Sequence, residues 1–499
     1  MALQDDVDTL VSQARRMGTD TSGVEIKRAQ GGVPKTLAES ISAFANGDGG
    51  LIILGLDEED EFAAVPIPTR AMADALANAC SDQVEPPVRA RVEIVQVDNV
   101  PIVAASIPPC DPKQRPCFVR RQGIEGGSYI RTHDGDRHLT SYEIHLLIEG
   151  RGQPHNDGET VPGATLADLD QSAVDALLER LRSTRGPAFA TAEPATMLRM
   201  AGVCPRGEAS GRVTLAGLMA LGTYPQEFFP QLNVTFVSFP TTDGAPMADG
   251  TRFLENVAID GSIPQMASRL VDVVMRSMTR RSVMEGIGRR DIWEYPIDAV
   301  RELVVNALMH RDYHPLAHGA QVQVEMYPDR LVFRNPGGLF GDVSTHDLLD
   351  GRASSSRNAI LARLLEDLPM PGTNHMVCEN RGSGIAMIER ELATSGQQPA
   401  VFRPTPSLFV AEVRSLAMPT HQVADAPRIA PISAHDTEPL IISLLADGPK
   451  TSQELQSAIG VSRPTVTKSL RALEQRGLVA PTANRRSRYV KWMLTRLTQ

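Results

Sequence analysis

At 499 residues the chain is too long for one ordinary core, and roughly 150 residues per domain points to about three or four domains. A hydrophobic content of 42% with 22% charged residues excludes a disordered or fibrous chain. The lack of any run near ~18 apolar residues excludes a spanning helix, and five scattered cysteines without a C-x-x-C spacing exclude a disulfide framework or zinc knuckle.

The formal charge of -10 is uneven. Residues 448 to 499 hold ten Lys/Arg and two acids, a net of +8 that leaves -18 on the rest. A basic terminal module on an acidic body points to nucleic acid as a partner there. The start, Met1-Ala2-Leu3-Gln4-Asp5-Asp6, carries acids where a signal peptide carries bases, so a cytoplasmic protein with no membrane partner is expected.

From about 20 to 150 the pattern mixes helices (Thr36 to Ala45, Thr69 to Cys80) with a buried apolar strand at Gly50 to Gly55 and alternating strands at Arg89 to Val97 and Pro101 to Ile107. Val24-Glu25-Ile26-Lys27-Arg28, the run Ser42-Ala43-Phe44-Ala45-Asn46-Gly47-Asp48-Gly49-Gly50, Leu54-Gly55-Leu56-Asp57-Glu58 and Tyr129-Ile130-Arg131 together resemble the Schlafen AlbA-like domain. In the eukaryotic Schlafen nucleases three acids cut RNA, and the resemblance places them here at Asp20, Glu25 and Asp57, Asp20 standing where that family has a longer glutamate. Clustered carboxylates suit metal-assisted phosphodiester hydrolysis of RNA or tRNA. The competing reading makes them ordinary surface and turn residues of a nucleic-acid- or protein-binding domain.

Residues 151 to 164, rich in Gly, Pro, Asn and Asp, read as a linker, and 165 to 290 as a connecting domain without a chemical constellation. Its helical stretches, Asp170 to Arg182 and Pro264 to Arg280, flank a strand-like run from Gln231 to Phe239.

The chemistry-bearing stretch is Glu302-Leu303-Val304-Val305-Asn306-Ala307-Leu308-Met309-His310-Arg311-Asp312-Tyr313. On a helix, positions 302, 306 and 310 line one face while Val300, Leu303, Val304 and Ala307 turn inward. A strand, Gln321 to Tyr327, turns at Pro328-Asp329-Arg330 into a return run that ends at Asn335-Pro336-Gly337-Gly338; later comes Arg381-Gly382-Ser383-Gly384. Glu302 suits a water activator, Asn306 a divalent-metal ligand, and Gly382-Ser383-Gly384 a helix start whose amides face phosphate.

In conjunction these motifs resemble the ATPase family of gyrase, histidine kinases and mismatch-repair ATPases (GHKL, Bergerat fold), most closely a divergent bacterial branch found behind Schlafen-type domains. The resemblance implies ATP with Mg, with Glu302 as general base, Asn306 as Mg ligand, and Asn335, Gly337, Gly338, Gly382, Ser383 and Gly384 around the nucleotide. Asn335 replaces the family's adenine-reading aspartate, so its hydrogen bond loses the assistance of charge. His310 is either a pocket residue or a structural hydrogen-bonder at the helix end. No G-x-x-x-x-G-K-[ST] occurs, which disfavours a P-loop motor or helicase.

Residues 414 to 435, rich in Ala and Pro, read as a tether. Beyond it, three helical patterns and two strands resemble a winged helix-turn-helix over 436 to 495. Ser462 would cap the third helix, and Arg463, Thr465, Thr467 and Lys468 near its start would enter a major groove while Arg485, Arg486 and Arg488 at the wing neutralise phosphate. Protein docking or dimerisation is the other use of such a module.

The expected fold class is α+β multidomain: a Schlafen AlbA-like α/β domain (1-150), a connecting domain (165-290), a Bergerat-type α/β sandwich (291-413), a linker (414-435) and a winged helix-turn-helix (436-499). The expected function is an ATP-binding, double-stranded-DNA-binding transcriptional regulator in which nucleotide state biases the tail, and self-association is expected from family habit. The alternatives are a Schlafen-like metal-dependent nuclease of a defence or stress pathway and a non-hydrolysing nucleic-acid-binding scaffold.

Overall fold

The computed structural model describes residues 3–17, 23–132, 135–207, 211–285, 288–341, 343, 348, 355–373, 375–379 and 382–416, with the backbone alone at 281–285 and 288–291. In the tail it describes 441–442, 444–445, 448–452, 455, 466, 469–470, 473–474, 476, 478–482 and 491–495. The chain divides into two compact units, Met1–Met418 and Pro419–Gln499.

The N-terminal part of the first unit is organised by a sheet in which alternate residues serve two cores. Its strands are β1 (Val24–Lys27), β2 (Gly50–Leu54), β3 (Arg91–Val97) and β4 (Val100–Ile107), in the order β1-β2-β4-β3. Only the β1–β2 pairing is parallel. Leu51 and Ile53 face the core shared with helix α1 (Leu3–Met17), while Ile52 and Leu54 face the core shared with α2 (Leu37–Asn46) and α3 (Thr69–Asn78). A strand buried on both faces reads as a continuous apolar run, which is why Gly50 to Leu54 was legible.

The glycines before it have a packing cause. A Cβ on Gly50 would fall 2.2 Å from Phe44 Cδ1, so the ring of Phe44 lies where only a hydrogen fits. Asn46, buried at the end of α2, donates from Nδ2 to the carbonyls of Cys117 (2.7 Å) and Tyr129 (2.8 Å) and accepts at Oδ1 from the Cys117 amide (2.7 Å). The Ala-Phe-Ala-Asn…Gly-Gly run thus ties α2 to β2 and to β5 (Tyr129–Thr132), which pairs with β6 (Gly135–His138). Helix α4 (Ser141–Glu149) follows, opened by a capping box of Thr140 and Glu143.

After a buried turn at Asn156 and Asp157 and the helix α5 (Gln171–Thr184), the chain enters a six-stranded sheet. Its strands are β7 (Val234–Ser238), β8 (Glu255–Ile259), β9 (Val322–Tyr327), β10 (Arg330–Pro336), β11 (Val401–Pro404) and β12 (Leu408–Arg414), in the order β8-β7-β9-β10-β12-β11. The β7–β9 pairing is parallel and the others antiparallel. The helices α6 (Ile263–Ser277), α7 (Ile297–His310), α8 (Ala359–Leu365) and α9 (Gly384–Thr394) complete this part.

The expected boundary near 290 falls inside this architecture. Strands β7 and β8 and helix α6 come from the stretch read as connecting, and one apolar core runs from Val161 through Leu177, Phe236, Val304 and Leu364 to Val413. The stretch read as a linker is likewise built in, because Thr160–Thr165 is a strand and Asp157 accepts from the amides of Ile360 (2.8 Å) and Leu361 (3.0 Å) at the start of α8.

In the second unit Lys491–Leu494 pairs antiparallel with both Lys450–Thr451 and Val479–Pro481 over a core that includes Ile441, Leu455, Val466, Leu470 and Trp492. The pairing of Val479–Pro481 with Lys491–Leu494 is the strand pair expected of a wing. Most of the expected tether lies outside the described residues. No helix among the described residues is long and apolar enough to cross a membrane.

Candidate nucleotide site

One cavity, about 710 Å³ and within the range of small-molecule sites, collects the expected motifs. Glu302, Asn306 and His310 line it from α7, Asn335 and Gly338 from the end of β10, and Gly382, Ser383 and Gly384 from the start of α9. Of the residues assigned to the pocket, Gly337 alone does not line it. It stands behind, at φ 101°, and a Cβ there would fall 2.5 Å from Arg357 Nη1.

On α7 the side chains take different states. Burial raises the Glu302 carboxyl above its ordinary range, against the opposing effects of the Asn306 amide and the nearby charge of Arg301. Asn306 Nδ2 donates to Glu302 Oε1 at 3.2 Å. A carboxylate with a raised pKa is a better proton acceptor, which suits a group that polarises water. Burial, with the Arg357 charge adding to it, pushes His310 down to about 4, so its imidazole is neutral near pH 7.

The rest of His310-Arg311-Asp312-Tyr313 is the knot that ends the helix. Arg311, 1% exposed, donates from Nη2 to the Ala317 and Ala320 carbonyls. The Tyr313 hydroxyl donates to the Leu308 carbonyl, and Asn358 Nδ2 donates to the carbonyls of Met309 and Arg311. These bonds satisfy backbone acceptors that a helix C-terminus leaves open.

At the other end of the cavity Asn335 is 5% exposed, and its Oδ1 has no hydrogen-bond partner among the described residues. A buried acceptor left unpaired is costly, on the order of 1–3 kcal/mol, and a ligand donor would relieve it. Arg357, equally buried, also lines the cavity. Its Nη2 donates to the Gly338 carbonyl at 3.2 Å, and its Nη1 stands 3.6 Å from Asp312 Oδ1 without a hydrogen bond. Sequence reading missed Arg357, which stands in the sequence beside Arg352 and Arg363 with nothing to single it out. It also missed Arg180, Thr184 and Arg185 near the end of α5, which line the cavity too. Arg185 is held there by Glu366 (3.0 Å) and Asp367 (2.6 Å).

Among the described residues no group of three or more His, Cys, Asp or Glu side chains is placed to hold a metal. The Asn306 amide beside the Glu302 carboxyl offers oxygen donors of the kind hard cations take.

Of the acids expected in the N-terminal domain, the structure describes Glu25 and Asp57, each ion-paired with a cation. Asp20 lies outside the described residues. Glu25, 7% exposed, is ion-paired with Arg131 and with Lys27 (2.7 Å), and Arg131 also pairs with Asp136 at 3.1 Å. Asp57 caps the turn that follows it by accepting from the Glu59 amide and pairs with Arg28 at 3.1 Å. The expected DNA-contacting residues Arg463, Thr465, Thr467, Lys468, Arg485, Arg486 and Arg488 all lie outside the described residues.

Comparison with family models accounts for most of the chain in four spans. Residues 20–140 match "Schlafen, AlbA_2", 319–413 match "Putative ATP-dependent DNA helicase recG C-terminal" (HATPase_c_4), and 439–480 match "Bacterial regulatory protein, arsR family", a helix-turn-helix. The chain is a Schlafen AlbA_2, ATPase-type and helix-turn-helix protein. Residues 147–235, where no chemistry was legible, match a domain of unknown function, DUF8451.

Helix α7, with Glu302 and Asn306, precedes the matched span of the ATPase-type domain but shares its core. Two of the solved structures that match the chain show how far the likeness reaches. One is the DIP2311 protein from Corynebacterium diphtheriae, at 17% identity and TM-score 0.41 over 98% of this chain and 96% of that one. The other is the N-terminal domain of a "Putative ATP-dependent DNA Helicase RecG-related Protein" from Nitrosomonas europaea, at 26% identity and TM-score 0.21 over 26% of this chain and 92% of that one. No curated protein matches.

Proposed function

We propose that this protein is a cytoplasmic, nucleotide-responsive DNA-binding regulator that takes ATP with Mg in the cavity between α7, β10 and α9. The observation that carries the reading is Asn335, whose buried Oδ1 lacks a partner among the described residues and which lines a nucleotide-sized cavity together with Glu302, Asn306 and the Gly382-Ser383-Gly384 turn. Asn335 would accept from the adenine amino group, Asn306 would ligate the Mg, and the first amides of α9 would face phosphate. The Mg, when bound, supplies charge neutralisation for the phosphates. Asn335, which offers adenine an uncharged acceptor, and the lack of a P-loop motif support a slow or non-hydrolysing switch over a motor.

Nucleotide state would bias the basic helix-turn-helix, and it does so only if ATP binds the two arrangements with different affinity. Self-association belongs to the same proposal and is read from sedimentation of the full chain. The ion pairs of Glu25 and Asp57 lend the nuclease alternative no support.

Calorimetric titration of Mg·ATP into the full chain and into Asn306→Ala tests the reading. Mg-dependent binding, weakened at least about tenfold in the variant, is expected; a wild-type chain that binds no nucleotide overturns it. For the tail, the Arg485→Ala, Arg486→Ala double variant should weaken duplex binding uniformly across sequences and lower the salt slope by about 2.

A further inference from the structure

The cavity's base end is fastened to the N-terminal domain by two separate routes. In the first, the Tyr142 hydroxyl of α4 donates to the carboxylate of Asp312, whose backbone amide in turn donates to the Pro336 carbonyl at 2.7 Å. Asp312 thus joins α4 to the Asn335-Pro336-Gly337-Gly338 turn, and it is the acid nearest Arg357 Nη1. Burial and the Asp312 contact keep the Tyr142 phenol far above its ordinary range, so it stays a donor.

In the second, Ser407 Oγ donates to Glu143 at 3.1 Å while the Ser407 carbonyl accepts from the Gly337 amide at 2.8 Å. Glu143 is gripped on its other side by Arg137 of β6, at 2.6 and 2.8 Å. Although burial opposes ionisation, Arg137 and Thr140 hold this carboxyl down to about 2. Next to Arg137 on β6 is Asp136, a partner of Arg131, which holds Glu25.

The segment that carries Arg357 is held from the same side. Gln153 Nε2, just beyond α4, donates to the Arg357 carbonyl at 2.9 Å. Each link is buried or half-buried and joins a side chain of 142–153 either to a residue just behind the cavity wall, Asp312 or Ser407, or to the backbone of Arg357, which lines it. A ligand that pairs with Asn335 and Arg357 acts on the turn these links hold.

We propose that α4 couples the cavity to the N-terminal domain, with Tyr142 and Glu143 as positioning residues for the base-reading turn, so that nucleotide binding tightens α4 and β6. This rests on the nucleotide reading above and goes beyond it, because the responding element is the Schlafen AlbA_2 domain. By linkage the coupling is reciprocal: whatever nucleic acid the N-terminal domain binds through a tightened β6 strengthens nucleotide binding by the same factor.

The test is hydrogen exchange on the full chain, with and without Mg and a non-hydrolysable ATP analogue, on wild type, Tyr142→Phe and Ser407→Ala, with affinities by calorimetry. Wild type should exchange more slowly over 135–149 when the analogue is bound. Each variant removes one hydroxyl and should weaken binding roughly three- to tenfold. At saturating analogue, each should lose most of the slowing over 135–149 while keeping the wild-type circular dichroism. Ser407→Ala carries the test if Tyr142→Phe fails to fold. Tight binding with unchanged exchange over 135–149, or variants that bind and respond as wild type, overturns this inference and leaves the nucleotide reading standing. Wild type that binds no analogue overturns both.

Discussion

Glu302 Oε1 occupies the place where a side chain on Gly384 would begin: a Cβ there would fall 2.1 Å from it. The start of α9 therefore presses on the face of α7 that carries Glu302, and the missing side chain at 384 is what leaves room for the carboxyl. Gly338 is tight for a different reason, since its Cβ would fall 2.0 Å from the Thr405 carbonyl oxygen, which is backbone.

These two glycines should part company on mutation. In Gly384→Ala the flexible carboxylate swings away, so stability changes by less than about 1 kcal/mol while Mg·ATP binding or turnover falls. Gly338→Ala has no such escape and should cost roughly 3 kcal/mol or more. Urea titrations and calorimetry on both variants check this; equal stability losses would contradict it.

Glu302→Gln should stabilise the nucleotide-free protein near neutral pH. A carboxyl raised by burial holds its proton more tightly folded than unfolded. Above the ordinary carboxylate range it therefore destabilises the fold, increasingly until the pH passes its raised value. The amide keeps the Asn306 contact without that charge. Melting curves should show the variant above wild type at about pH 7.5 and the gap closing by about pH 4. A gap that widens on acidification would have the wrong sign.

Asn335→Asp should move affinity and stability in opposite directions. A carboxylate gives the adenine amino group a charge-assisted partner, roughly tenfold in ATP affinity. Without ligand it is a poorly paired buried charge, on the order of 1–3 kcal/mol. Calorimetry and thermal melts of one preparation decide it, and weaker ATP binding would place the adenine elsewhere.

Glu25→Ala should unfold before it informs about cutting. Glu25 is buried and Arg131 half-buried, and removing one partner of a buried pair costs roughly 3–5 kcal/mol. Denaturant midpoints measured beside any tRNA-cleavage assay separate the two; stability within about 1 kcal/mol of wild type would return Glu25 to the list of free acids.

What could be read from the sequence was what one element carries by itself. The spacing of Glu302, Asn306 and His310 fixed a helix face, and the continuous apolar run at Gly50 to Gly55 announced a buried strand. The parallel pairing of β7 with β9 was hidden because Val234 meets Val322 across a long stretch of chain, and local periodicity says nothing about such a partner. Arg357 was hidden because its meaning depends on Asp312, Gly337 and Gly338, which only folding brings to it. The ion pair of Glu25 was hidden because its cation, Arg131, lies far along the chain on β5.

The position of β7 between β8 and β9 governs how this protein can be dissected. A fragment beginning at 291 would keep β9 but lose the strand beside it, baring the unpaired backbone of a row that carries Val322, Val324 and Met326. An open apolar edge of that kind recruits other chains. Fragments meant to report on the nucleotide cavity need to start before the DUF8451 span, at about 147, or they will report on aggregation instead.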